Sequence, residues 1–304
     1  MKLAAFLASH LAVLFMRGCA LLPLPVLARV GEGLGTLARH LLRRRRQIAA
    51  TNLRLCFPEL DEDVRARLLA AHFRVLGRSF LERGLAWWAS PARLRRIVHI
   101  EGREHLDALF AAKTPVILLA PHFVGLDLCG TRMALEWDWL SIYAHQKNPV
   151  FDRLLYHGRT RFGDTHIFSR EEGVRPVLRM LRQGTHGLYY LPDLDHGMKD
   201  AVFAPFFGTP AATLTTLSRL ARVAHARVLT CTTQILPGGQ GYRVRISAPW
   251  ENFPSDDDAA DAARMNAAIE AGIRPHPEQY YWVHRRFKTR PPGEADVYAR
   301  KGKA

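Results

Sequence analysis

Cysteine is scarce in this chain. Its four cysteines (Cys19, Cys56, Cys129 and Cys231) are scattered through 304 residues, with no Cys-x-x-Cys pair and no Cys/His cluster. That argues against a disulfide framework and against a zinc site, and it fits a reducing compartment. Acidic residues are in deficit, 28 Asp plus Glu against 43 Lys plus Arg, a formal charge of +15. Such an excess implies an acidic partner: nucleic acid, anionic lipid or an acidic protein. No Gly-x-Ser-x-Gly elbow occurs, which argues against a serine hydrolase. Gly31, Gly33 and Gly35 misplace the third glycine of a dinucleotide fingerprint, and no strand precedes them. Asp256, Asp257 and Asp258 lack the glycine and terminal glutamate of a calcium loop and read instead as a helix start. There is no internal repeat, no long linker and no unbroken hydrophobic run of membrane-spanning length.

The nearest approach to such a run is residues 3–22, interrupted by His10 and Arg17 and ended by Pro23 and Pro25. Four readings compete. A secretory signal would use Lys2 as its basic start and Val26-Leu27-Ala28 as its cleavage site. A spanning helix needs Arg17 to snorkel or face protein. A helix lying in the interface tolerates Arg17 best. An amphipathic core helix is the bland alternative. The reading carried forward is a membrane anchor of unresolved depth. Arg43 to Arg46 form a basic cluster close behind it. Beside an anchor, attraction to anionic headgroups at about 1 kcal/mol per basic residue is a better reading than nucleic-acid binding. The positive-inside rule then puts the rest of the chain in the cytoplasm.

Residues 61–88 carry a helical stripe (Val64, Leu68, Ala71, Val75, Leu76) and end in Trp87 and Trp88, which suit a membrane interface or a core equally. From residue 97 onward short apolar runs alternate with helical stretches in the α/β manner. Strands are expected at 97–100, 115–120, 139–144, 166–168, 187–191, 227–236 and 242–247. The last two are joined by the hairpin-forming stretch 237–241, so the sheet is expected to be mixed.

The strand ending at Ala120 is apolar throughout and suits burial on both faces. Functional groups in open α/β sheets gather outside the carboxyl ends of such strands, and His122 stands there, five residues before Asp127. The spacing alone says little, because His99/Glu104 and His166/Glu171 share it; only His122/Asp127 directly follows a buried strand. With His122 on the turn before a helix, Asp127 could hold one imidazole nitrogen while the other faces a substrate hydroxyl. A turn histidine beside a first-turn carboxylate reads equally well from these residues alone.

Several blocks together are far more specific. They are His122-xxxx-Asp127; Gly158-Arg159 after Phe151-Asp152-Arg153; Tyr190-Leu191-Pro192-Asp193-Leu194-Asp195-His196-Gly197; the Pro205-Phe206-Phe207-Gly208 segment with its threonine-rich sequel; Tyr281 to Pro291; and Asn52-Leu53 with Cys56 to Leu60. Over nearly the whole chain they resemble the lipid A late acyltransferase family, within the lysophospholipid acyltransferase-like superfamily. The resemblance implies an α/β fold with a mixed, largely parallel sheet flanked by helices, like that of glycerolipid acyltransferases. An N-terminal helical membrane-anchor region would precede it. The expected division is 1–30 anchor or interfacial helix, 31–95 helical region with the basic cluster, and 96–304 catalytic domain.

The implied reaction is direct transfer of a fatty acyl group to a hydroxyl of a lipid A precursor. Acyl carrier protein thioester is the expected donor, coenzyme A thioester a lesser one. His122 would be the general base, held by Asp127. Arg159 and Asp193 match required positions of the family and could pair with each other; with Gly158 and Asp195 they are the expected substrate-binding residues. Phe203, Phe206 and Phe207 are candidates to line an acyl groove, although their spacing suits a core as well. The basic tract from His284 to Arg290 reads as a phosphate site or a solvated tail. No metal or cofactor is implied. The expected partners are acyl carrier protein, the acceptor glycolipid and an anionic membrane, not nucleic acid, and the expected location is the cell inner membrane with the catalytic domain on its cytoplasmic side. Lipid A members often carry glutamate where this chain has Asp127, so the acceptor could also be a lysophospholipid or another glycolipid. A non-enzymatic basic binding protein would leave the strand-end His122 unexplained.

Overall fold

A computed structural model of the protein describes residues 3–299; Lys2, the basic start of the candidate signal, lies outside them. Five helices come first: α1 (Leu3–Cys19), α2 (Leu24–Leu41), α3 (Arg43–Cys56), α4 (Glu62–Trp88) and α5 (Pro91–Ile97). Pro23, which cannot continue a helix, separates α1 from α2. The α2–α4 crossing is made close by three glycines. A Cβ on Gly35 would stand 2.0 Å from the Phe73 carbonyl oxygen, and one on Gly77 would stand 2.3 Å from that of Gly31. These glycines let two backbones touch, which is the use the chain has for Gly31 and Gly35.

No helix among the described residues is long and apolar enough to cross a membrane. Helix α1 buries Met16 and Cys19 but exposes Phe6, Leu7, Leu11, Leu14 and Phe15. Helix α2 turns Val26, Val30, Leu34, Leu37 and Leu41 outward at helical spacing. Trp87 is core, and Trp88 packs against the same cluster.

The remaining chain builds a seven-stranded sheet from β1 (Val98–Glu101), β2 (Val116–Leu119), β3 (Trp139–Tyr143), β4 (His166–Ser169), β5 (Gly187–Tyr190), β8 (Arg227–Ile235) and β9 (Tyr242–Ile246), in the order β1-β9-β8-β2-β5-β3-β4. All neighbouring pairs are parallel except the β8–β9 hairpin. The sheet is therefore mixed and largely parallel, as the turn chemistry of 237–241 predicts. Its central strand β2 is buried on both faces: Val116 and Leu118 join one core, Ile117 and Leu119 the other.

Helices α6 (Arg103–Ala111), α7 (Leu126–Met133), α8 (Pro149–Arg159), α9 (Arg175–Leu181), α10 (Thr216–Ala224) and α11 (Asp258–Ile273) complete the layers. Asp257 caps α11 through the amides of Ala259 and Ala260, so the acidic triplet is a helix start. A small antiparallel hairpin, β6 (Ala201–Phe206) with β7 (Thr209–Leu214), was not expected from the sequence. It sends Phe206 and Phe207 into the core among Phe57, Tyr280, Trp282 and Phe287. For Phe206 and Phe207 the expectation of an acyl groove fails, because the hairpin's tight turn folds them inward; Phe203 stays half-buried on β6.

Candidate active site

Register places the catalytic candidates. Leu119 of β2 pairs with Tyr190 of β5, so His122 and Asp193, each three residues beyond, leave adjacent strands at the same level. His122 Nδ1 lies 2.7 Å from Asp193 Oδ1, and the His122 amide donates to Asp193 Oδ2 at 2.9 Å. Tyr280 Oη donates to the same Oδ2 at 2.9 Å. Donation by Nδ1–H leaves Nε2 as the nitrogen with a free lone pair. Burial works to raise the Asp193 pKa, but the His122 ring, the two His122 hydrogen bonds and the Tyr280 hydroxyl together bring it down to about 2.

This corrects two expectations. Asp127 does not hold the imidazole, and Asp193 does not pair with Arg159. Asp127 sits in the first turn of α7, where Arg159 at the end of α8 bonds its Oδ1 at 2.7 Å and Arg83 of α4 meets its Oδ2 at 3.0 Å. Burial raises its pKa as well, yet the two guanidiniums, with a smaller contribution from His122, bring it to about 2. Two cations on one carboxylate leave a surplus positive charge beside His122. Arg83 lies 44 positions from Asp127 along the chain, and no local motif marked it.

Gly158 and Asp195 each make close contacts within the protein. A Cβ on Gly158 would stand 2.1 Å from Trp87 Cδ1, so the glycine lets α8 lie against α4. Asp195 is buried and takes bonds from Thr289 N at 2.6 Å, Thr289 Oγ1 at 2.8 Å and Gly197 N at 2.9 Å. The basic tract is packed into the fold at several positions rather than a solvated tail. Arg286 is buried, donating to Ala212 O and Thr213 Oγ1, and Arg290 donates to Pro210 O. His284 accepts from the Asp195 amide through Nε2; burial first, then the nearby His122 charge, depresses its pKa to about 4 and keeps it neutral.

The segment 279–281 runs beside the His122 turn. Val124 N donates to Gln279 O and Tyr281 N to His122 O, each at 2.9 Å. His122, Asp127, Arg83, Arg159 and Lys147 line a cleft of about 730 Å³ walled also by Phe80, Phe151, Leu155 and Tyr281. Behind the Asp127–Arg159 pair a smaller, mainly apolar chamber of about 50 Å³ lies between α7 and the sheet, lined by Gly130, Ala134, Trp139 and Tyr189 among others. An imidazole held by a carboxylate, a surplus of positive charge and apolar walls could suit removal of a hydroxyl proton next to a developing anion.

The sequence model of the bacterial lipid A biosynthesis acyltransferase family matches residues 2–289. The chain is 35% identical over 278 residues to a lipid A biosynthesis lauroyltransferase of Escherichia coli (strain K12), covering 91% of this chain and 90% of that one. It is 36% identical, over the same shares, to a palmitoleoyltransferase of that organism. A third E. coli relative, a myristoyltransferase, is 35% identical over 300 residues, 96% of this chain and 90% of its own. The solved structure of the 1-acyl-sn-glycerophosphate (LPA) acyltransferase PlsC from Thermotoga maritima covers 81% of this chain and 97% of its own, at 13% identity and a TM-score of 0.39, too loose a likeness to bear on function. With a family match along nearly its whole length, the chain belongs to the bacterial lipid A biosynthesis acyltransferase family, and it is an acyltransferase.

Proposed function

We propose that the protein transfers a fatty acyl group from acyl carrier protein thioester to a hydroxyl of a lipid A precursor, at a membrane surface, without an acyl-enzyme. The observation that carries this reading is the 2.7 Å pair of His122 and Asp193 at the cleft, beside two arginines on one carboxylate. Nε2 of His122 takes the acceptor's hydroxyl proton as its oxygen attacks the thioester carbon. The C–O bond forms, the C–S bond breaks, and the proton passes from His122 to the departing thiolate. Proton removal of this kind is worth roughly 10²- to 10⁴-fold in rate. Arg159 and Arg83 hold an acceptor phosphate or the oxyanion while Asp127 fixes their geometry. The apolar chamber beyond them takes the end of the acyl chain.

Membrane association at the inner membrane's cytoplasmic face is supported by the outward apolar rows of α1 and α2, with exposed Arg43 and Arg44 directly after them. The row is long enough for a helix lying in the interface. No metal or cofactor enters this reading.

The test is transfer of labelled acyl groups from acyl carrier protein to a lipid A precursor, with wild type beside a folded His122→Ala variant. Product from wild type alone supports base, donor and acceptor together. Equal product from both removes His122 as the base. Label passing instead to a lysophospholipid keeps the reaction and replaces the acceptor.

A further inference from the structure

At the end of the sheet opposite the cleft, three side chains converge that the transfer reaction does not use. His166 opens β4, Asp164 lies two residues before it, and His186 immediately precedes β5. Leu140 of β3 pairs with His166 on one side and Leu188 on the other. Register thus sets the starts of β4 and β5 on either side of β3, with Asp164 and His186 in the loops that enter those strands. Asp164 Oδ1 lies 2.8 Å from His166 Nε2, and its Oδ2 lies 3.2 Å from His186 Nε2. One oxygen and two ring nitrogens thus sit within 4.8 Å of one another.

We propose that Asp164, His166 and His186 form a binding site for a zinc-class divalent cation, with water in the fourth position. Two imidazoles and a carboxylate select a borderline-soft ion over magnesium or calcium, which favour all-oxygen shells. The two rings lie close, with centroids 5.5 Å apart and planes at 65°. Ligand atoms around tetrahedral zinc stand roughly 3.3 Å apart. Small rotations of Asp164 and His166, whose side chains are 64% and 42% exposed, close the remaining gap and leave solvent access for the water.

The supporting contacts point the same way. Thr185 Oγ1 lies 2.9 Å from His186 Nδ1. Accepting that ring's Nδ1–H leaves Nε2 bare for a metal. The Asp138 carboxylate accepts the Asp164 amide at 2.7 Å and fixes the loop that carries the ligand. A bound ion would tie edge strand β4, and the loop that follows Arg159, to β5 across β3. It would act as a structural clasp, remote from the cleft.

Calorimetric titration of chelator-treated, untagged full-length protein with zinc ion alone tests this. One saturable site per chain is expected, with zinc raising the thermal midpoint. His166→Ala, at a half-buried position, and Asp164→Asn, at an exposed one, should each weaken binding at least tenfold and abolish the thermal shift; Thr185→Val should weaken binding about tenfold without touching the ion. Cobalt should give the intense visible absorption of a four-coordinate site in wild type and lose it in His166→Ala. Absence of a saturable site overturns the proposal, as does unchanged affinity in His166→Ala and Asp164→Asn. Acyl transfer is not part of the readout, so the outcome is independent of the proposed reaction.

Discussion

Two buried carboxylates near one histidine do different work because their neighbours differ. Asp193 is held by His122 and Tyr280, Asp127 by two guanidiniums. Asp193→Asn should lower kcat by roughly 10²- to 10⁴-fold and shift the pH profile of kcat/KM, since the imidazole loses its anionic partner. Asp127→Asn should act chiefly on KM for the acceptor, as Arg83 and Arg159 lose their anchor; separate measurement of kcat and KM for both variants decides. Both carboxyls are held at about 2 against an ordinary 3.8. Their stabilising contribution is therefore complete above about pH 4 and lost as pH falls towards 2. His72 responds earlier: buried, with Nδ1 on Glu278 O, its pKa drops from 6.5 to about 4. Below pH 6.5 the unfolded chain takes up a proton that the folded one refuses. Stability should fall by on the order of 3 kcal/mol between pH 7 and 4 from this residue. Urea midpoints across that range should show a flatter slope in His72→Gln, although that variant is less stable at neutral pH. In the apolar chamber, a Cβ on Gly130 would make an ordinary 3.7 Å contact with Tyr189. Gly130→Leu should fill the space and shift the preferred donor to shorter chains, read by competition between acyl carrier proteins of different acyl length.

At the level of elements, the α2–α4 crossing is the most exacting contact in the N-terminal helices. Gly35→Ala puts a methyl on the Phe73 carbonyl and should cost about 1–3 kcal/mol through overpacking, measurable as a lowered thermal midpoint. Gly33→Ala, with open space around its Cβ, should leave the midpoint unchanged or raise it slightly. The sequence shows Gly31, Gly33 and Gly35 but not that the first and third meet α4, because close approach depends on residues 73–78, far along the chain. The strands were more readable. Apolar runs such as 116–119 and the glycine-rich 237–241 carry their own signal, and they located His122 at a strand end. The partner of that histidine was not readable from spacing. His122-xxxx-Asp127 is a local pattern, whereas Asp193 arrives through β5 lying beside β2, a neighbour relation that no local window contains. The ion pairs that claim Asp127 come from α4 and α8, which no local window contains either. The β6–β7 hairpin stayed hidden because Pro205 and Pro210 speak against strand in any local reading. Asp164, His166 and His186 lie up to 22 positions apart in unremarkable sequence and meet only through the fold.

For the whole molecule, the excess of 15 positive charges and the apolar rows of α1 and α2 suit one anionic, amphiphilic surface. Leu37→Asp with Leu41→Asp should reduce cosedimentation with phosphatidylglycerol vesicles at least tenfold without changing the thermal midpoint, both positions being exposed. Raising salt should weaken wild-type binding only in part, because the apolar contribution survives screening. The segment 279–289 bears on something else, the order in which the chain is made. Its Gln279, Tyr280, Tyr281, His284 and Thr289 reach back to Val124, Asp193, His122 and Asp195. On the ribosome His122 and Asp193 are therefore translated long before the residues that fix them. An unfinished chain can form β2 and β5, yet it lacks the brace that sets the histidine turn. Such a nascent chain should show no transfer, because the brace on the His122 turn arrives only once segment 279–289 has left the exit tunnel.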